Sequence, residues 1–154
     1  MSSRHDETVK KLQRQISAYF AKKVPFRVYH GSTNSTRVLS FKRSEMVDIS
    51  HMNRVLSIDP KRRVAVVEPN VPMDKLVKEC LKHGLVPPVV TEFPGITVGG
   101  AIQGAAAETS SHKYGCFSQT VNWIEYILGD GSLIKVSPTE HADLFYGSAG
   151  SYGS

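Results

Sequence analysis

The chain has 154 residues, 40% of them hydrophobic, with 19 Lys and Arg against 14 Asp and Glu and a net charge of +5. That length can bury one sizeable core and suits a single domain. Two cysteines without Cys-x-x-Cys spacing exclude a disulfide framework and a zinc site, and scattered cations without interleaved aromatic residues speak against a nucleic-acid partner.

The polar opening from Met1 to Glu7 predicts no secretory leader, and residues 1–24 form a unit of their own: from Thr8 to Lys23, Val9, Leu12, Ile16, Tyr19 and Phe20 recur at helical spacing. Pro25 ends this amphipathic helix. Phe26 to His30 alternates as a strand and leads into the polar loop Gly31-Ser32-Thr33-Asn34-Ser35-Thr36. Val55 to Ile58 and Val64 to Glu68 flank Asp59-Pro60-Lys61-Arg62 as a hairpin. Pro72, then Met73, Leu76, Val77, Cys80 and Leu81 at helical spacing, then Gly84, predict a helix with both ends marked.

The run Thr97-Val98-Gly99-Gly100-Ala101-Ile102-Gln103-Gly104, continued by Glu108 to Gly115, sets bare backbone beside short hydroxyls. Glycine lets main-chain N–H groups approach an anion closely, so the expected ligand is anionic and extended. The Gly-Gly-x-x-x-Gly spacing is neither the dinucleotide fingerprint nor a phosphate loop, so a dinucleotide here would be held by a different fold. Tight turns and close strand packing account for the same glycines, and an ordinary surface loop accounts for residues 31–36. The run from Gly95 to Ala107 is too short for the roughly 20 residues of a membrane span.

Val121 to Leu128 and Leu133 to Val136, joined by Gly129-Asp130-Gly131-Ser132, predict a second hairpin. A short helix through Leu144, Phe145 and Tyr146 follows, and the chain then stops without a closing apolar element, as if cut. Helices and hairpins segregate, which predicts an α+β domain. Among polar residues, His112 and Lys113 fit either a proton donor and a phosphate partner or a structural hydrogen bond and a solvated cation. Glu108 fits a general acid, or preferably an acceptor for cofactor hydroxyls. Trp123 and Tyr126 fit the core.

These pieces, in this order from Phe26 to Gly153, resemble the FAD-binding PCMH-type domain of the vanillyl-alcohol-oxidase family. The matching words are His30 to Arg37, Val67-Glu68-Pro69-Asn70-Val71, Thr97-Val98-Gly99-Gly100, Tyr114-Gly115, the Asp130-Gly131 hairpin and Asp143-Leu144-Phe145-Tyr146. Glu-Thr-Ser-Ser-His-Lys-Tyr-Gly at 108–115 is most similar to the delta(24)-sterol reductase branch. The resemblance implies a two-lobed FAD-binding domain over 25–154, incomplete at its C-terminus, with lobes at about 25–85 and 86–154.

It also implies that Gly31, Ser32, Thr33, Asn34, Ser35 and Thr36 cradle the pyrophosphate together with Gly99, Gly100, Gly104 and Ala105, through backbone donors. Pro94, Gly95, Thr97 and Val98 would line the flavin edge, and Glu108, Ser111, Tyr114 and Gly115 would border the cofactor further along. Asn34 stands where some members carry a flavin-linking His, so FAD is expected to be non-covalent. The implied chemistry is reduction of a carbon-carbon double bond of a sterol-like substrate with NADPH, by an acid that the resemblance does not name. Membrane association would depend on segments absent from this chain, and the cytoplasm or the cytosolic face of an internal membrane would be its location. Two other readings remain open: a non-catalytic module that holds FAD or a partner, and a nucleic-acid binder, against which the missing base-stacking residues count.

Overall fold

The computed structural model describes residues 3–31 and 42–152. Helix α1, Arg4–Ala21, begins earlier than its apolar periodicity suggests. The reason is a polar cap: Ser3 Oγ accepts from Asp6 N at 3.2 Å while the Asp6 carboxylate accepts from Ser3 N at 2.9 Å. Val9, Leu12 and Ile16 form its buried stripe, whereas Phe20, also at helical spacing, is 62% exposed.

Strand β1, Arg27–Tyr29, pairs in parallel with β2, Met46–Asp48. The sequence reading did not identify β2, since three residues are too few to display a period. The first hairpin is as expected: β3, Val55–Asp59, runs antiparallel to β4, Val64–Val67. Its turn is held by Asp59 Oδ1, which accepts from the amides of Lys61 and Arg62, each at 3.0 Å. A strap of residues 68–71 then leads into α2, Met73–Leu81, with Pro72 at its N-cap and Gly84 at φ +68° beyond its end.

The glycine-rich run forms a short helix, α3, Val98–Gln103, where the sequence suggested tight turns and close strand packing or bare backbone facing a ligand. Thr97 nucleates it, its Oγ1 accepting from Gly100 N at 3.2 Å. A single turn, α4, Ser111–Tyr114, follows. The second hairpin, β5, Ile124–Ile127, and β6, Leu133–Val136, and the terminal helix α5, Ala142–Gly147, match expectation. Among the described residues the strands form three two-stranded sheets, and the whole is α+β.

Two apolar clusters hold these elements. The larger joins Val71, Met73, Leu76 and Cys80 to Val89, Val98, Ala101, Ile102 and Phe117. The smaller packs Val9, Leu12 and Ile16 of α1 on Val47 and Met52, with Ile127 of β5 alongside. The turn between β5 and β6 docks on α1: Ser17 Oγ donates to Asp130 O at 2.8 Å and Gln13 Nε2 to Gly131 O at 3.1 Å. No helix among the described residues is long and apolar enough to cross a membrane.

Candidate functional site

The strap of residues 68–71 organises the region. Glu68 is fully buried. Its Oε2 accepts from Arg54 N at 2.8 Å and Nε at 3.2 Å, and its Oε1 from an Arg54 terminal nitrogen at 2.6 Å. His5 Nδ1 stands 3.0 Å from Oε1. Facing an acceptor-only carboxylate, that nitrogen carries the ring proton. Burial pushes the Glu68 carboxyl up, but the hydrogen bonds from Arg54 and His5 and the Arg54 charge outweigh it and hold it at about 2. One carboxylate thus ties α1, the entry to β3 and the strap together.

The next residues of the strap meet the start of α3. Pro69 O accepts from Gly99 N at 2.7 Å, and Val71 O from Val98 N at 2.9 Å. A Cβ on Gly99 would lie 3.1 Å from Pro69 O and 3.2 Å from Pro69 Cβ, so glycine is what allows this approach. On its other side the strap reaches the segment after β2: Asn70 N donates to Met52 O at 2.8 Å and Asn70 Nδ2 to Ser50 O at 3.0 Å. Ile49 N donates to Tyr29 O at 2.9 Å, which links that segment to the end of β1, where Gly31 sits at φ +87°. Asn70 Oδ1 is buried and has no partner among the described residues. A buried carbonyl left so costs about 1–3 kcal/mol.

The expected site residues fall into three groups. Pro94, Thr97, Val98, Gly99 and Gly100 come together at the N-terminus of α2 and against the strap, with Asp74 N donating to Pro94 O at 3.1 Å and Met73 N to Ile96 O at 2.8 Å. Gly95 lies within this segment. Glu108 and Ser111 join through Glu108 N and Ser111 Oγ at 2.9 Å, and Glu108 Oε1 accepts from Glu92 N at 2.7 Å. That bond pins the 108–115 turn to the segment leading to Pro94. Tyr114 is exposed, and Gly115 at φ +74° turns the chain after α4. Gly31 closes β1, while Ser32, Thr33, Asn34, Ser35 and Thr36 lie outside the described residues.

The anticipated role of backbone donors needs correction in the glycine run. The amides of Gly99, Gly100, Gly104 and Ala105 donate within the chain, to Pro69 O, Thr97 Oγ1, Gly100 O and Ile102 O. Helix formation engages them. What the run offers a ligand is surface: Gly100 and Gly104 are exposed one turn apart, a strip of α3 without side chains. His112 Nδ1 lies 2.6 Å from Thr109 O, and Lys113 Nζ 5.1 Å from the Tyr114 ring centroid, so both side chains contact their own turn. Two clefts, of about 270 and 580 Å³, run along α1, and no expected cofactor residue lines them.

Glu68, Arg54, His5 and Asn70 were missed as an organising group. The word Glu-Pro-Asn-Val was visible, but a buried ion pair between residues 14 apart and a His 63 residues away leaves no local pattern. An orphaned buried acceptor and a glycine surface free of side chains are features that suit a large polar cofactor.

A family model for an FAD binding domain matches residues 5–137. Delta(24)-sterol reductase of Pisum sativum is 43% identical over 121 residues, spanning 77% of this chain and 21% of that protein. The Homo sapiens delta(24)-sterol reductase is 32% identical over 154 residues, spanning 97% of this chain and 30% of that protein. Among solved structures, 6-hydroxy-D-nicotine oxidase from Arthrobacter nicotinovorans superposes with a TM-score of 0.80 at 22% identity, over 92% of this chain and 31% of that one. Carbohydrate oxidase from Microdochium nivale gives 0.74 at 25% identity, over 90% and 30%. The chain therefore spans less than a third of the length of these relatives. With the family match running from α1 through β6, the chain belongs to the FAD binding domain family.

Proposed function

We propose that this chain holds FAD non-covalently as part of an oxidoreductase that reduces a carbon-carbon double bond of a sterol-like substrate, with NADPH as electron donor. The observation that carries the reading is the junction of the 68–71 strap with Thr97-Val98-Gly99-Gly100, in a chain 43% identical over 121 residues to a delta(24)-sterol reductase. FAD, when bound, supplies hydride chemistry at its ring system. The protein's part is to bind and orient it. Gly31 and residues 32–36 approach the pyrophosphate from one lobe, at about 25–85. From the other, at about 86–154, Gly99, Gly100, Gly104 and Ala105 supply close backbone surface. Pro94, Gly95, Thr97 and Val98 border the flavin. Glu108, through Glu92 N, fixes the angle between that border and the turn carrying Ser111, Tyr114 and Gly115.

The test is the visible spectrum of the purified chain after FAD is added and the excess removed by gel filtration. A retained flavin spectrum that acid precipitation releases supports non-covalent binding, and anaerobic bleaching by NADPH that a sterol alkene then reverses supports the reaction. A monodisperse protein that stays colourless removes the cofactor assignment. Because the chain spans 21% to 30% of its curated relatives, a second reading is a module that retains FAD without turnover, which bound flavin inert to NADPH would favour.

A further inference from the structure

We propose that Asn70 contacts the cofactor, its side-chain carbonyl accepting a hydrogen bond from a sugar or ribityl hydroxyl of bound FAD; this rests on the FAD reading above. Asn70 is 7% exposed and fixed from several directions. Its amide donates to Met52 O at 2.8 Å and its Nδ2 to Ser50 O at 3.0 Å. The flanking carbonyls of Pro69 and Val71 accept from Gly99 and Val98 at 2.7 and 2.9 Å. Its buried Oδ1 has no partner among the described residues. Buried acceptors are almost always paired, so one left open in a well-held side chain marks a place where a donor arrives.

The position says which donor. Ser50 follows β2, whose end is bonded to the end of β1, beside Gly31. Gly99 and Val98 open α3. Asn70 therefore lies between the strand pair that ends near Gly31 and the start of α3. An acceptor cannot bind a phosphate oxygen directly, since both would need the proton. The donors that an extended dinucleotide presents beside its phosphates are hydroxyls, on the ribityl chain on one side and the ribose on the other. The bond from Nδ2 to Ser50 O accounts for the donor half of the carboxamide, and the acceptor half is what that bond and the packing leave unexplained.

The experiment measures FAD affinity by flavin fluorescence quenching for the full chain and for Asn70→Leu, with FMN and ADP as competitors that each carry one half of the cofactor. Circular dichroism follows thermal unfolding of the flavin-free proteins. The expected result is an FAD affinity lower by about tenfold in Asn70→Leu, with loss for FMN or for ADP but not both, and a flavin-free melting temperature within a few degrees of the wild type. Unchanged FAD affinity in a folded variant, or equal loss for both half-ligands in step with a lower melting temperature, overturns the proposal and leaves Asn70 a structural residue. Should Asn70→Leu not fold, asparagine labelled with 13C gives the second readout. The Asn70 side-chain carbonyl resonance, identified by its absence in Asn70→Asp, should move downfield when FAD is added, and a stationary resonance overturns the proposal. Wild-type chain that binds no FAD at all overturns both readings, and it is recognised before any variant is made.

Discussion

Gly131 sits at φ +90°, with its would-be Cβ in contact with Ser17 Oγ and 2.7 Å from Gln13 O. Backbone strain and a clash with the main chain of α1 coincide at one atom. Gly131→Ala should therefore cost about 2 kcal/mol or more in urea unfolding, well beyond the ordinary Gly-to-Ala effect in a loop. A change smaller than about 0.5 kcal/mol would show that the turn can leave α1 freely. Glu68 makes a pH statement at the same scale. Its carboxyl is held at about 2, below the ordinary 4.5, so its stabilisation is fully present above about pH 4.5 and is lost as pH falls towards 2. Urea unfolding at pH 7, 5 and 3 should give similar stabilities at the first two and a loss at the third, of about 2 kcal/mol from this group. Glu68→Gln should be destabilised at neutral pH and lack that part of the acid loss. An identical drop in both proteins between pH 5 and 3 would assign it to other carboxyls.

Elements differ in what fixes them. Helix α1 was legible because Val9, Leu12 and Ile16 repeat, yet its first turn was not, because a capping box is a hydrogen-bond device and carries no apolar period. Its stripe closes the smaller core, so Leu12→Ala should destabilise by about 2–4 kcal/mol in denaturant unfolding. Helix α3 shows the converse. Glycines weaken an isolated helix, and the run carries no helical period, but Thr97 caps it and the strap clamps its first two amides. Thr97→Val keeps the shape and removes the acceptor. It should cost about 1 kcal/mol in the same assay and loosen FAD binding by fluorescence quenching, while a loss confined to stability would separate the cap from the site.

For the whole molecule the question is how cofactor and fold are linked. A ligand that binds the native state at a hundredfold excess over its dissociation constant adds about 2.7 kcal/mol. In a chain of this size that corresponds to a rise in melting temperature of roughly 5–10 °C. Scanning calorimetry with increasing FAD should show the midpoint climbing with concentration, and a fixed midpoint would mean that FAD does not engage the folded chain. The net charge of +5 suits an anionic dinucleotide, and the rise should shrink as salt is added if screened attraction contributes.

By itself the sequence determined the local pieces: the α1 and α2 stripes, the two hairpins with their Asp-Pro and Asp-Gly turns, the α+β class, and the ordered words that resemble an FAD domain. All of these rest on neighbours within a few residues, where periodicity, caps and turn chemistry act. Only the tertiary structure decided the parallel pairing of β1 with β2, the helix at Val98–Gln103, and the meeting of Glu68 with Arg54 and His5. It alone left Asn70 Oδ1 buried without a partner among the described residues. Those features depend on hydrogen bonds closed across long stretches of chain, and an individual residue carries no mark of the distant partner that will satisfy it, or of its absence.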